Sequence, residues 1–410
     1  MSWRAVITCG LIVLVGINLR TVILGVPPVL PLVQGDLDLS HTAIGLLTAL
    51  PVLVMGGLAL PAGLLAGRIG GRASVALGLA LLAAGAALRA VFPAAVPLFI
   101  FTTLLSLGIA VAQTAVPVLA RQWFPRQIGL VSALYTDGLI AGEALAAGIT
   151  APLMGALIGP HGWAGTFVLW SLPVALTLAL WLLLAPAAPA TAPRPTPGAR
   201  VATPAARDKQ ARASALHLGA LLGSGSLIYF GMNGWIASYN QARHVPGLTP
   251  AALAILNAAQ LPVSLMVTLA AQRLAGRGGP FIVAGTLVTL AIAGWVFGPA
   301  ELEPLWAAVL GGSSALAFTL GIALPALLAH RAEVARLAGQ TLGISYGLAF
   351  LGPLLGGALW DLTGVPAMAF LPVAAAALAL IVLGARLPRQ HLVVDEVERD
   401  TGLAAVQRAE

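Results

Sequence analysis

The most constraining feature of this sequence is a series of apolar runs, each long enough to cross a lipid bilayer. A spanning helix needs about 20 mostly apolar residues, and short breaks rich in glycine, proline or charge separate the runs. A chain that is 59% hydrophobic and only 9% charged does not match a soluble domain, in which about 25% of residues are charged. The sequence predicts an all-α membrane protein of twelve spans, at residues 4–33, 41–66, 73–92, 96–121, 127–157, 162–184, 215–241, 249–275, 279–298, 304–329, 337–362 and 365–387.

The basic residues predict how the spans are oriented. Cytoplasmic loops carry an excess of Lys and Arg, and when the breaks are assigned alternately to two sides, all but three of the 21 basic residues fall on one side. The exceptions are Arg89 and Arg243, near helix ends on the other side, and Arg20, inside span one. We therefore expect a multi-pass protein of the bacterial inner membrane with both termini in the cytoplasm. Since the basic residues are scattered, the net charge of +7 does not indicate a nucleic-acid partner.

The longest break, residues 185–214, is rich in Pro, Ala and Thr and divides the chain into two sets of six spans. Its composition predicts an extended cytoplasmic linker between an N-terminal bundle, 1–184, and a C-terminal bundle, 215–387. A weak repeat supports this division, because Pro152-Leu153-Met154-Gly155 in span five recurs as Pro353-Leu354-Leu355-Gly356 in span eleven. Residues 388–410 mix acids and arginines and are expected to form a cytoplasmic tail.

Several blocks of sequence, in order along the chain, resemble one family of transporters. The blocks are Gly16-Ile17-Asn18-Leu19-Arg20, Leu30-Pro31, 46–52, Gly108-Ile109-Ala110-Val111, 129–135 and 352–356. Together they are similar to the cyanate and nitroimidazole permease family of the major facilitator superfamily, over nearly the whole of residues 10–387. The resemblance implies the major facilitator fold, with two pseudo-symmetric six-helix bundles. It also implies alternating access to a central cavity lined mainly by spans one, four, seven and ten.

Three features depart from the pattern of that family. Gly67 stands where the loop between spans two and three usually carries an acidic residue, and Thr21 stands where a proline usually follows the arginine of span one. Asp137 and Glu143 occupy positions in span five where small or apolar residues are expected. These departures bear on gating, on the substrate and on its coupling to ions.

Arg20 is a candidate for binding the transported solute. A charged side chain at the centre of a bilayer costs roughly 2.5 to 3.5 kcal/mol on insertion scales, so it is a functional candidate by default. Arg20 follows Arg4 by sixteen residues, which is about 24 Å of helix and places it near the middle of span one. Its planar fork of donors suits an anion or a nitro group. The alternative is a structural ion pair with Asp137 or Glu143.

Asp137 and Glu143 are the candidates for proton coupling, because burial in an apolar bundle favours the protonated form of a carboxyl. They are six residues apart, hence about 120° apart around the helix. No histidine lies in mid-span, so a proton relay would use these carboxyls. The alternative for each is a structural role, with the carboxyl satisfied by Tyr135, Thr136 or Arg20.

Further polar and aromatic residues are expected to contact the solute. Gln113, Tyr229 and Asn233 belong to spans that should line the cavity, and Trp235 lies deep enough to stack on a planar solute. Gln260 in span eight and Tyr346 in span eleven complete the set. The alternative for each is interhelical packing, in which a polar contact contributes about 0.6 kcal/mol.

These features predict a secondary active transporter of a small planar or anionic solute, similar to cyanate or a nitro-heterocycle, that is either coupled to protons or runs by facilitated exchange. The alternative is a drug/proton antiporter that exports lipophilic or cationic compounds. We expect no enzymatic activity and no cofactor, since nucleotide-binding and catalytic motifs are missing from the sequence. One cysteine, Cys9, and histidines near span ends predict no metal site. The expected partners are the solute, protons and membrane lipid, and the expected state is a monomer.

Overall fold

The structure is a computed structural model that describes residues 3–159, 162–187, 205–274, 276–328 and 334–387. These residues form α-helices joined by short turns, with no strand among them. Twelve helical segments are long and apolar enough to cross a membrane, as predicted. The helices are Trp3–Leu24 with Leu30–Leu37, His41–Ile69, Gly71–Val91, Ala95–Trp123, Ile128–Leu157, Trp163–Leu184, Ala205–Ala242, Thr249–Ala258 with Gln260–Leu274, Gly279–Phe297, Glu303–Leu328, Val334–Thr363 and Leu371–Ala385.

Two spans are broken, and proline accounts for both breaks. Span one ends its first helix at Leu24 and restarts at Leu30, after a short 3-10 turn at Pro27–Val29. Span eight breaks between Ala258 and Gln260 because Pro262 has no N–H to donate to the carbonyl of Ala258. Short 3-10 turns also precede spans eight, ten and twelve, at Pro246–Leu248, Ala300–Leu302 and Pro366–Phe370.

The helices pack in the same pattern in each half of the chain. In the first half span one contacts spans five and six, and span three contacts spans four and six. In the second half span seven contacts spans eleven and twelve, and span nine contacts spans ten and twelve. Each helix is therefore matched by the helix six places later. The extensive contacts between the halves join span two to span eleven and span five to span eight.

The predicted linker is partly helical. The helix of span seven begins at Ala205, ten residues before the predicted start at residue 215. The sequence from 205 to 214 explains the extension, because it is rich in Ala, Arg, Lys and Gln, which favour helix. Residues 188–204 and 388–410, which include most of the predicted linker and the whole predicted tail, lie outside the described residues.

The halves meet from one end of the molecule to the middle of the bundle. Gly45 packs against the backbone of Pro353, and Gly56 against the side chain of Tyr346. Beyond these residues the glycines of spans two and eleven have open space where a Cβ would be placed; they are Gly57, Gly63, Gly67, Gly339 and Gly343. The close glycine contacts between spans two and eleven therefore lie at one end and in the middle of the bundle. We call the end with the turns at 38–40 and 364–366 the closed end, and the opposite end the open end.

An acidic side chain joins the two halves at the closed end. Asp361, near the end of span eleven, accepts hydrogen bonds from the backbone N–H groups of His41 and Thr42, at 3.0 and 2.7 Å. These are the first residues of span two, so the carboxylate caps the positive end of that helix. The Thr42 hydroxyl also donates to Asp361, at 2.6 Å. The His41 ring stacks on Trp360, with ring centroids 4.1 Å apart.

Candidate functional site

Close glycine contacts bring Arg20 of span one beside Glu143 of span five. Gly142 packs directly on the carbonyl of Ile17, and Gly16 lies against the backbone of Tyr135. Neither contact leaves room for a side chain at the glycine, so the two helices approach closely at this level. Ile17 is nearly one turn before Arg20, and Gly142 directly precedes Glu143. The crossing of the helices therefore fixes where the two charged side chains meet.

Arg20 and Glu143 form an ion pair in the middle of the bundle. The Nε atom of Arg20 lies 3.3 Å from Oε1 of Glu143, and the side chains are 13% and 8% exposed. The other carboxylate oxygen, Oε2, accepts from Nε2 of Gln260 at 3.3 Å. Because Gln260 belongs to span eight, the carboxylate of Glu143 joins the two halves. The structure thus brings together three of the residues predicted from sequence.

A network of neutral polar groups continues from Gln260 into the second half. Asn257 is fully buried and occupies its centre. Its side-chain N–H donates to Oδ1 of Asn233 at 2.9 Å, and its Oδ1 accepts from the Tyr229 hydroxyl at 2.6 Å. The amide of Gln260 also donates to the backbone carbonyl of Asn257, at 3.3 Å. The break in span eight separates Asn257 from Gln260, and both side chains belong to this network.

Several buried polar atoms around the ion pair have no partner among the described residues. Neither Nε nor Nη1 of Arg20 makes a hydrogen bond, so its contact with Glu143 is ionic only. The Tyr135 hydroxyl and Oε1 of Gln113 are also buried without a partner. The hydroxyls of Tyr135, Tyr229 and Tyr346 are close enough to interact electrostatically with Arg20. Unsatisfied buried polar groups are costly, and beside the ion pair the Arg20 guanidinium and the Tyr135 hydroxyl remain for a ligand to satisfy.

Two of the predicted site residues lie away from this network. Trp235 is fully buried near the closed end, where its Nε1 donates to the carbonyl of Pro353 at 3.2 Å. In this conformation it has no exposed surface for stacking on a solute. Asp137 is exposed and makes no hydrogen bond or ion pair with any described residue. The structure therefore separates the two acids of span five, as their angular spacing predicts.

Two residues at the site, Asn257 and Tyr135, were not among those predicted from the sequence. Asn257 shares a helix face with Gln260, three residues away, and this spacing was the available signal. Tyr135 was considered only as a partner for the carboxyls, whereas its hydroxyl is unsatisfied and its ring contacts Gly16. No pattern in the sequence distinguishes this tyrosine from one that packs in the core.

The comparison with known families identifies the chain. The model of the Major Facilitator Superfamily matches residues 8–350. The chain belongs to the major facilitator superfamily. Members of this superfamily are transporters. In this chain the polar network joins span five to spans seven and eight, and so it lies between the two halves. The predicted fold class and the predicted resemblance are confirmed.

Two relatives from Escherichia coli (strain K12) are similar to this major facilitator protein over most of their length. The cyanate transport protein CynX is 29% identical over 362 residues, which are 86% of this chain and 90% of the relative. The 2-nitroimidazole transporter is 27% identical over 389 residues, which are 93% and 95% of the two chains. The twelve apolar helices and these bacterial relatives support a multi-pass protein of the bacterial inner membrane.

A solved major facilitator structure has the same fold. It is a bacterial homologue of the human lysosomal transporter Spinster, in an inward-facing, unoccupied conformation. The two structures superpose with a TM-score of 0.72, covering 94% of this chain and 95% of the other, at 13% sequence identity. At this identity the likeness shows the fold alone.

Proposed function

We propose that this protein is a secondary active transporter that moves a small planar anion or nitro-heterocycle by alternating access, with Arg20 as its binding group. The single observation that carries the proposal is the state of the Arg20 guanidinium. It is permanently charged and lies between the two halves, and its Nε and Nη1 are buried without a hydrogen-bond partner. A solute with two adjacent acceptor oxygens would bind the Nη1 and Nη2 edge of the guanidinium in a bidentate contact.

The names of the two relatives agree with this chemistry. One is a cyanate transport protein and the other a 2-nitroimidazole transporter. Cyanate is a small anion, and a nitroimidazole is a planar ring with a nitro group that carries two partly negative oxygens. Both offer acceptor atoms to a guanidinium. The nitro group has the two adjacent oxygens of a bidentate contact, whereas linear cyanate would contact the guanidinium through one end and through its charge.

Competition for Arg20 would couple the solute to a proton. The positive charge of Arg20, 3.3 Å away, favours the ionised form of the Glu143 carboxyl. A bound anion pairs with the Arg20 guanidinium, so the Glu143 carboxylate loses its compensating charge in an apolar bundle. Protonation then becomes favourable, so anion and proton bind together as a neutral pair. Asp137 is exposed and makes no ion pair with Arg20, so we assign coupling to Glu143.

The distribution of basic residues orients this cycle. The excess of arginines lies at the open end and includes Arg68, Arg121 and Arg126. We therefore propose that the open end faces the cytoplasm. The conformation described is then inward-facing, with the Arg20 network reachable from the cytoplasmic side and sealed from the periplasm by the closed end.

Uptake into proteoliposomes tests the proposed substrate class. We expect radiolabelled cyanate or 2-nitroimidazole to accumulate in vesicles that contain the protein, driven by an inward proton gradient. Empty vesicles and vesicles treated with a protonophore provide the baseline. Transport of tetraphenylphosphonium in exchange for protons, with no uptake of either acceptor solute, would contradict the proposal and favour the drug/proton antiporter.

Asp361 is expected to control the opening of the closed end. In Asp361→Asn one carboxylate oxygen becomes an N–H donor that faces the N–H groups it formerly accepted from. Hydrogen bonds to a charged group contribute about 1.5 to 3 kcal/mol, so losing one should shift the equilibrium toward the outward-open state by about tenfold or more. Spin labels at positions 35 and 362, both exposed at the closed end, should report a larger population of long distances.

The control for this experiment is Glu301→Gln, since Glu301 is an exposed acid at the same end. Its distance distribution should match that of the wild type. An unchanged distribution in Asp361→Asn would show that the carboxylate does not hold the closed end together.

A further inference from the structure

A second arginine is buried between the helices, and the transport scheme above does not use it. Arg89 lies near the end of span three and is 1% exposed, although the sequence suggested only a charge near a helix end. Its Nη2 donates to the carbonyl of Val22 at 2.9 Å, and its guanidinium carbon lies 3.9 Å from the ring centroid of Phe167. Its Nε is buried with no partner, and no described carboxylate pairs with it.

This environment leaves a positive charge uncompensated. A guanidinium is always ionised, and removing it from water is costly unless another charge or several hydrogen bonds replace the water. One carbonyl and one aromatic face provide part of that compensation. In the pair between Arg243 and Glu303, by contrast, a carboxylate completes the compensation at 3.3 Å. Arg89 therefore has an electrostatic requirement that the described residues do not meet.

A cavity of about 30 Å³ lies against Arg89. Roughly 10 to 15 Å³ admits one water molecule, so the cavity has room for a small ion of two or three atoms. Three neutral polar residues, Thr48, Thr102 and Asn233, line it together with apolar side chains, and no described acid does. The hydroxyl of Thr102 is buried without a partner, like Nε of Arg89. Two unsatisfied donors thus border one cavity.

The cavity lies between the two halves, on the closed-end side of Arg20. Its walls come from both halves, with Ile23 and Leu47 from the first and Phe230 and Asn233 from the second. Arg89 binds the carbonyl of Val22, only two residues beyond Arg20 along span one. Asn233 also belongs to the central network, because it accepts from Asn257.

We propose that Arg89 and Thr102 form a second anion-binding site, on the closed-end side of Arg20, which we call the outer site. Its ligand is a small monovalent anion, with the negative charge on Arg89 and one acceptor atom on the Thr102 hydroxyl. That anion is either the transported solute on its way to Arg20 or an inorganic ion such as chloride. The first assignment rests on the proposed function, and the second does not.

Equilibrium dialysis of the purified full-length protein in nanodiscs tests the proposal. With radiolabelled cyanate as the probe, we expect the wild type to bind two cyanate ions per protein. Arg89→Gln and Arg20→Gln should each bind one. Thr102→Val should weaken the outer site by about tenfold, since a hydrogen bond to an anion is removed. The matched control is Thr103→Val, because the Thr103 hydroxyl is exposed and bonds only to the carbonyl of Phe99.

A parallel dialysis with radioactive chloride separates the two sources of anion. If chloride binds at one site, and that binding is lost in Arg89→Gln but kept in Arg20→Gln, the ligand of the outer site is an inorganic ion. Cyanate that binds at both sites supports the solute. If cyanate binds only at a site that Arg20→Gln removes, and chloride does not bind, the outer site is wrong while the proposed function stands.

Folding is checked separately, because Arg89 also holds the carbonyl of Val22. Arg89→Lys keeps the charge and should retain the outer site when the thermal melting curve shows a folded protein. If Arg89→Gln does not fold, Thr102→Val decides the question. Unchanged anion affinity in folded Thr102→Val and in folded Arg89→Gln would overturn the proposal.

Discussion

Glu143→Gln should abolish proton-driven accumulation of the solute while solute exchange across the membrane continues. The amide has the shape of the carboxyl and can still contact Gln260, which lies 3.3 Å from Oε2 of Glu143. It cannot bind and release a proton, so the step that links the proton gradient to uptake is lost. In the variant, accumulation driven by the proton gradient should fall to the level of empty vesicles. The rate of counterflow of preloaded solute should stay within a few-fold of the wild-type rate.

The matched control is the other acid of span five. Asp137→Asn removes a carboxylate from the same helix, but that group is exposed and makes no ion pair with Arg20, so both assays should give wild-type rates. Glu143→Gln leaves Arg20 without its countercharge, and losing one partner of a buried pair can cost about 3 to 5 kcal/mol. Melting curves must therefore show a folded protein. Proton-driven uptake that survives in folded Glu143→Gln would assign Glu143 a structural role.

Arg20→Lys should weaken solute binding by about tenfold or more. Lysine keeps the charge but replaces the planar fork by a point charge, which cannot make a bidentate contact. Charged hydrogen bonds contribute about 1.5 to 3 kcal/mol, and 1.4 kcal/mol corresponds to a factor of ten in affinity. Calorimetric titration of the purified protein with solute measures the effect.

A conservative change at another paired arginine controls for general loss of stability. Arg243 contacts Glu303 at 3.3 Å near the closed end, away from the central network. Arg243→Lys should leave solute affinity unchanged. If Arg20→Lys also binds solute like the wild type, Arg20 serves Glu143 rather than the solute.

Much of the architecture was predictable, because bilayer thickness and backbone hydrogen bonding leave few alternatives for apolar runs of this length. The described residues contain all twelve spans, and prolines such as Pro262 account for the breaks. The helix of span seven begins at Ala205, ten residues before the predicted span, while its candidate membrane-spanning part begins at Arg212. There the break after span six was assigned from its proline-rich first part, and the helix-favouring residues that follow received too little weight.

The site was predictable in composition but not in pairing. A charge in an apolar run identifies Arg20 and Glu143 from sequence alone, because its cost requires a purpose. Which acid Arg20 contacts depends on how Gly142 seats on Ile17, and a single sequence does not report that crossing. Arg89 was assigned to a helix end because burial near a span terminus depends on the neighbouring helices.

The central claim is that Arg20 binds the solute and does more than neutralise Glu143. Solute affinity of the double variant Arg20→Gln/Glu143→Gln, measured by calorimetry, tests it most directly. The double variant contains neither charge, so electrostatic balance is restored without the guanidinium fork. We predict that its affinity falls by at least about tenfold and that it stays close to that of folded Arg20→Gln. Wild-type affinity in the double variant would contradict the claim.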